Sequence, residues 1–466
     1  MKTKTIYLGD LDLADIPMGW PIPPHVNRTV RGTLLCVGGR EFARGVWMNA
    51  NSRIPVALNG RGVRFRAMCG PDDLVPQSQS SCMEFLVETD GRLRFRSGRM
   101  VQGDAAVAGV ETLTLIMDCV DGKVGNAQGD WLDAVIEFEG DPPPHVIYPA
   151  DRHEPDIDCP AKGYDAFHPA KSWYDTDGVK IQAHGGGLLK VGERYYWYGE
   201  HKGGSTTWWP KARVDIIGVG VYSSTDLYNW RNEGIVLPAE PDKPDSPLHP
   251  SNVLERPKVL FNAKTGKYVL WVKSENASYQ WGRVIVATAE DPAGPFEIVD
   301  SFQPAGQRFG DFALYEEDGT GYLIVSSGGV ETTFIHRLTQ DYLNVEEQVA
   351  AIYAGQKREA PAILKKSGRY YLITSGKSGW SPNPTRYATA PSLAGPWEDR
   401  GEVFMGEGSQ YSFRSQPTYV FEHAGTVIYM GDRWHQRDLG DSRYVWLPLD
   451  VIDGKMTGCW LDEWRY

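Results

Sequence analysis

The chain has 466 residues, with 48 Lys+Arg against 60 Asp+Glu and a formal net charge of −12, and that length is enough for two or three hydrophobic cores. So acidic a balance repels phosphate backbones and anionic lipid faces, which sets nucleic acid and membranes aside as partners. No run reaches the ~18 apolar residues of a spanning helix, and Met1–Asp10 lacks the apolar core of a signal peptide; a cytoplasmic location is expected, or a secreted or periplasmic one if a leader has been trimmed.

Sixteen Trp, 23 Tyr, 51 Gly and 31 Pro suit many short strands joined by tight turns, and predict an all-β chain. Half-buried strands are expected at Val63–Ala67, Met83–Val87, Leu93–Arg96, Thr112–Ile116 and Leu132–Phe138, where apolar and polar residues alternate. Turns at Asp90-Gly91 and Asp121-Gly122 join some of them, and a β-sandwich over residues 1–142 is the economical fold. The Gly-Asp-Pro-Pro-Pro run at 140–144 continues neither strand nor helix and marks a boundary. Residues 143–180 read as a linker that wraps the second domain. The six cysteines lack a C-x-x-C spacing and are expected as buried free thiols.

From residue 181 to 466 the chain repeats itself. Five units open with a polar residue and a short apolar strand, at His184, Glu255, Asp311, Glu359 and Gln416. Each then turns through a glycine, at Gly192, Gly266, Gly319, Gly368 and Gly425, into an aromatic strand such as Arg194–Tyr198 or Arg369–Ile373. Openings recur every 48 to 71 residues, the span of a four-stranded blade, so a five-bladed β-propeller is expected.

In a propeller the innermost strand of each blade lines the axis, so the five opening residues converge. Singly each has a plain role: Glu255 and Glu359 adjoin Arg256 and Arg358 as ion pairs, Asp311 caps a turn, His184 is a core histidine, Gln416 a structural amide. Together, three carboxylates, an imidazole and an amide in one funnel cost several kcal/mol in desolvation and repulsion. Two carboxyl groups across a sugar-sized space describe glycoside hydrolysis, in which a protonated acid serves the leaving oxygen and a second group orients water. A neighbouring carboxylate raises the acid's pKa. No P-loop, nucleophile elbow or dinucleotide fingerprint is present; the three glycines after His184 are expected to leave room for substrate. No H-E-x-x-H motif is present and no cofactor is expected, although a structural cation at the axis is compatible with the sequence.

These strings resemble glycoside hydrolase family 43, five-bladed propellers with an aspartate base, an aspartate that modulates the acid, and a glutamate acid. Asp311 and Glu359 match the last two. Where the base aspartate is expected, this chain has the Gln-Ala-His-Gly-Gly-Gly run at 182–187. That run, with the Tyr-Tyr-Trp-Tyr-Gly-Glu string at 195–200, Glu255–Val259, the stretch 374–380 and Ser442–Pro448, is similar to subfamily 24. The resemblance implies an inverting exo-β-1,3-galactanase or galactosidase acting on galactan or arabinogalactan, with Gln416 serving in place of the base. It further implies that Glu200, Glu255, Tyr279, Ser378 and Trp380 contact galactose, with His184 shaping the floor. Within the enzyme class the rivals are an α-L-arabinofuranosidase, a β-xylosidase or a galactofuranosidase; outside it, a carbohydrate-binding propeller without turnover. The N-terminal domain resembles the novel putative carbohydrate-binding module through Gly45–Ser52, Val63–Ala67 and Gly70–Asp73, although Asn49 stands where histidine is common and Trp47 is unusual. An oligosaccharide or polysaccharide is thus the expected partner; nothing in the sequence speaks to oligomeric state.

Overall fold

The computed structural model describes residues 3–466 except 14–15, 17, 19–21, 76–82, 98–100, 107–109, 120–126, 142, 147–155, 205, 208–212, 328–330, 380–381 and 436–438. The expected turn at Asp121-Gly122, part of the 143–180 connection and Trp380 lie outside the described residues. The chain is nearly all-β and divides into two compact units, Met1–Glu154 and Pro155–Tyr466.

The first unit is sandwich-like. One sheet runs in the order Val101–Ala106, Gly62–Pro71, Gln128–Phe138, Gly45–Asn49, His25–Val26, with Lys4–Tyr7 also on Gln128–Phe138; the other runs His145–Val146, Ser52–Ala57, Thr112–Cys119, Met83–Thr89, Arg92–Arg96. Alternation supplies the reason: inward Trp131 meets Phe65 of its own sheet and Phe85 of the other, edge to face, at 6.3 and 5.3 Å. All five expected strands are present, but Arg92–Arg96 is mostly exposed, Leu93 included, where a half-buried strand is expected. Gly45–Asn49 is buried at every position, so it carries no alternation to read. Trp47 and Asn49 are fully buried, which makes the Gly45–Ser52 motif part of the packing. The thiols depart from expectation. Of the five described, only Cys69 is buried; Cys36 and Cys119 are half-buried, and Cys159 and Cys459 are exposed because both lie on irregular chain outside the sheets, while Cys82 lies outside the described residues.

In the second unit, five four-stranded antiparallel sheets follow in chain order; four are built of consecutive strands, and in the first a small separate hairpin, Thr206–Thr207 with Arg213–Val214, falls between its second and third strands. Their first strands are His184–Val191, Val253–Asn262, Phe309–Glu317, Arg358–Lys366 and Gln416–His423. Each successive pair of first strands adjoins, and the fifth adjoins the first. The apolar cores follow the same cycle. Val221 and Val272 meet between the first and second sheets, Trp271 and Phe312 between the second and third, Ile324 and Leu372 between the third and fourth, and Ile373 and Val445 between the fourth and fifth. Trp197 and Trp446 join the fifth sheet back to the first. Phe167 and Trp464 exchange both backbone hydrogen bonds and stack at 4.4 Å beside that last core, tying the segment before the first sheet to the chain end. The five turn glycines all have positive φ, between 59° and 85°, which is why glycine recurs there.

Asp130 is an energetic oddity of the first unit. It is fully buried opposite Gly70 and Trp47, and burial, with Asp72 and Asp73 close by, pushes its carboxyl well above the usual range. A carboxyl whose folded pKa is raised loses stability as pH climbs above its unfolded value. Asp130→Asn should therefore stabilise the N-terminal unit at neutral pH by something on the order of 1 kcal/mol, with the gain vanishing in acid. Calorimetric melts at both pH values check this; an equal shift at the two would contradict it.

Candidate functional site

The site forms where the five first strands begin, and the backbone there is irregular in the same way each time. The pairing register of the first and second strands slips between His184 and Gly187, Glu255 and Lys258, Phe309 and Phe312, Glu359 and Ala362, and Pro417 and Tyr419. A bulge bends its strand and re-aims the side chain beside it. In three of the five the residue after the opening polar one is left-handed: Gly185 at φ 59°, Arg256 at 57° and Ala360 at 53°. For Arg256 and Ala360 this conformation costs ~1–3 kcal/mol each, held by the sheets around them.

The bulges gather most of the expected residues into one hydrogen-bonded arc of alternating charge. Tyr279 donates to Glu255 Oε1 at 2.8 Å, and Lys273 Nζ lies 2.7 Å from Glu255 Oε2 and 3.2 Å from Asp311 Oδ1. Arg256 Nε meets Asp311 Oδ2 at 2.9 Å, and its Nη2 donates to Gln416 Oε1 at 2.6 Å. Trp434 Nε1 donates to the same Gln416 oxygen at 3.0 Å. Gln416 Nε2 in turn donates to Glu359 Oε1 at 3.1 Å and to Ser375 Oγ at 3.2 Å. Glu200 accepts the Arg256 backbone N–H at 2.8 Å and pairs with Lys202.

Charge compensation in the arc is uneven. Asp311 has two cations against it and, despite its burial, is held below the usual carboxylate range; Glu255, against Lys273 and Lys202, is likewise lowered. Glu359 has no ion pair among the described residues. Burial first, then the charge on Asp311, push its carboxyl up to about 8, while Arg256, Lys273 and Lys377 pull the other way. Glu200 is also raised, by burial. Glu359 and Gln416 remain half-buried, open on one side. At neutral pH the arc thus holds one protonated carboxylic acid beside an ionised one, the arrangement of a proton donor.

His184 stands apart from the arc. It is fully buried, stacks on Tyr444 at 5.0 Å, and approaches Gln182 Oε1 at 3.1 Å and Asp432 Oδ1 at 3.6 Å; burial lowers its pKa, so it is neutral. The three glycines behind it do not leave space for substrate. A Cβ on Gly185 would meet Glu200 Oε1 at 2.2 Å, one on Gly186 the Tyr198 carbonyl at 2.1 Å, and one on Gly187 Lys258 Cδ at 2.7 Å. The protein's own atoms fill the room. Ser378 lies beyond the second strand of the fourth sheet, its Oγ held by Asn383 at 2.5 Å.

Sequence reasoning missed the cations. Arg256 and Arg358 do not pair with their neighbours Glu255 and Glu359: Arg256 goes to Asp311 and Gln416, and Arg358 to Thr374 at 3.1 Å from its Oγ1 and 2.7 Å from its carbonyl. Adjacent residues on a strand point to opposite faces, which is why sequence neighbours are poor partners. Lys273 was within reach of a register count from Gly266, but counting without the bulge sets Ser274 opposite Glu255, one residue off the observed pair. Trp434 left no signal.

With this geometry in hand, comparison with known proteins is informative. The model of glycosyl hydrolases family 43 matches residues 184–435, and that of the NPCBM/NEW2 domain matches residues 4–137. Among solved structures, a GH43 β-1,3-galactosidase with galactodeoxynojirimycin is 34% identical with a TM-score of 0.60, covering 64% of this chain and 100% of that one. An exo-β-1,3-galactanase from Phanerochaete chrysosporium with galactose is 38% identical with a TM-score of 0.60, covering 64% of this chain and 68% of that one. Another, from Clostridium thermocellum, is 35% identical with a TM-score of 0.57, covering 64% and 66%. A Xylanibacter ruminicola relative named as a beta-xylosidase is 24% identical over 195 residues, 41% of this chain but 36% of its own length.

The charge pattern makes one prediction about this site alone. Asp311→Asn removes the second cause of the raised Glu359 carboxyl, so any activity that needs Glu359 protonated should lose its alkaline side. The basic limb of kcat/KM against pH should move down by about one unit or more; an unmoved limb in a folded variant would separate Asp311 from Glu359.

Proposed function

The chain belongs to glycosyl hydrolases family 43, and from that premise we propose that it releases galactose from the ends of β-1,3-linked galactan or arabinogalactan chains, with inversion. The five sheets are read as the blades of a propeller whose axis the arc crosses. The observation that carries the reading is the protonated Glu359 beside the cation-paired Asp311.

In this reading Glu359 is the general acid that protonates the departing oxygen. Asp311 keeps that proton in place by its charge, and stays ionised itself because Arg256 and Lys273 compensate it. Gln416 holds the attacking water on the opposite face; as the water oxygen bonds to the anomeric carbon, the bond to the departing oxygen breaks, that oxygen takes the proton of Glu359, and the water sheds its own proton to solvent. The acid and the water-holding group of an inverting enzyme flank the anomeric carbon, ~6.5–9.5 Å apart where both are carboxyls. The 3.1 Å bond between Gln416 and Glu359 therefore belongs to the substrate-free site, and a sugar ring parts the two. Glu255, Glu200 and Tyr279 supply acceptors and a donor for ring hydroxyls. Beneath them His184, Lys258 and Tyr444 fill the floor, and Lys258, whose Nζ donates to the Gly185 carbonyl at 2.7 Å, is brought down to about 7 by burial. A blocked floor admits a chain end and not a chain in passage.

Incubated with β-1,3-galactobiose beside aryl arabinoside and xyloside, the protein should turn over the galactoside, and proton NMR should show α-galactose first. Glu359→Gln should lose activity on the disaccharide by roughly 10²–10⁴-fold while aryl galactosides with acidic phenols lose less. Preference for the pentosides, β-galactose as first product, or equal losses on both leaving groups would contradict the proposal.

A further inference from the structure

We propose that Arg256 is a positioning residue that ties the two halves of the reaction together, its Nε on Asp311 and its Nη2 on the carbonyl of Gln416. The inference rests on the glycosidase reading and deepens it. Arg256 is buried, and a third side-chain bond, from Nη1 to the Pro417 carbonyl at 3.1 Å, fixes the plane of the guanidinium. A planar fork with donors at set angles spans an acid on one strand and an amide on another; an ammonium, a single point of charge, does not.

The consequence for Gln416 comes from donor and acceptor counts. Arg256 and Trp434 have only N–H groups to offer, so the Gln416 atom facing them is the carbonyl oxygen, with both lone pairs engaged. Nε2 must then face Glu359 and Ser375. When a sugar parts Gln416 from Glu359, the atom turned toward the attacking water is Nε2, and Arg256 is what keeps it there. The charged groups around Glu359 are Asp311 from the third sheet, Arg256 and Lys273 from the second and Lys377 beyond its own sheet. Arg256 thus acts on the acid as well, as one of the cations that hold its pKa from rising further.

Three variants of the full chain test this. Arg256→Lys keeps a cation but not the fork, so kcat should fall by roughly 10²-fold with KM little changed and the basic limb in place. Arg256→Met also removes the cation, so its basic limb should move to higher pH, opposite to the shift in Asp311→Asn. Trp434→Phe removes the second, uncharged donor to Gln416 and no charge, so kcat should fall with the limb unmoved. Orientation of Gln416 is read without substrate from nitrogen-15 indole spectra, in which Trp434→Phe identifies the Trp434 resonance; both Arg256 variants should shift it. Wild-type kcat in Arg256→Lys, or an unmoved indole resonance and limb in Arg256→Met, would overturn the proposal. Failure of the wild type on galactobiose would instead overturn the substrate reading, and the indole spectra would still decide the role of Arg256.

Discussion

Everything at the centre of this protein depends on Asp311 being the carboxylate that two cations share. Placing a buried carboxylate against Arg256 and Lys273 settles its charge; with one cation removed the other still faces it, and only the loss of both leaves a buried charge uncompensated. The same two cations are drawn off to other partners as well, Lys273 to Glu255 and Arg256 to Gln416. None is left over to pair with Glu359. Its proton is therefore retained by default, through burial and the neighbouring negative charge, and no dedicated hydrogen bond is needed to hold it.

The backbone makes this sharing achievable. Five first strands adjoin in a cycle, which brings groups as far apart in sequence as Arg256 and Gln416 within bonding distance. A slip of register at the start of each strand re-aims its polar side chain, four of the five toward the shared space and His184 into the packing against Tyr444. The apolar cores between successive sheets hold the strands still, so that the left-handed residues Arg256 and Ala360 keep a conformation they would leave in a free chain. Irregularity at the rim and regularity in the sheets are complementary parts of one arrangement.

The same division separates the features legible in the sequence from those that were not. Repeats with a turn glycine are set by local chemistry, so the units, their turns and the opening residues were legible. The strand Gly45–Asn49, buried on both faces, carried no periodic signal. At the site the acids were legible from their place in each unit, but their partners were not, because a single bulge moves Lys273 into the place an even count gives to Ser274. The triple glycine was misread for a related reason. Small residues mark close approach, and only the three-dimensional structure shows that Glu200, Tyr198 and Lys258 are what approaches.

The central claim is that Glu359 is a neutral acid at neutral pH because the cations are committed elsewhere. Infrared difference spectra of the substrate-free protein, wild type against Glu359→Gln, measure this directly through the carbonyl stretch of a protonated carboxyl. The account predicts a carboxylic-acid band assignable to Glu359 that persists at neutral pH and titrates away with a midpoint near 8. A Glu359 already ionised at neutral pH, titrating in the ordinary carboxylate range, would contradict it.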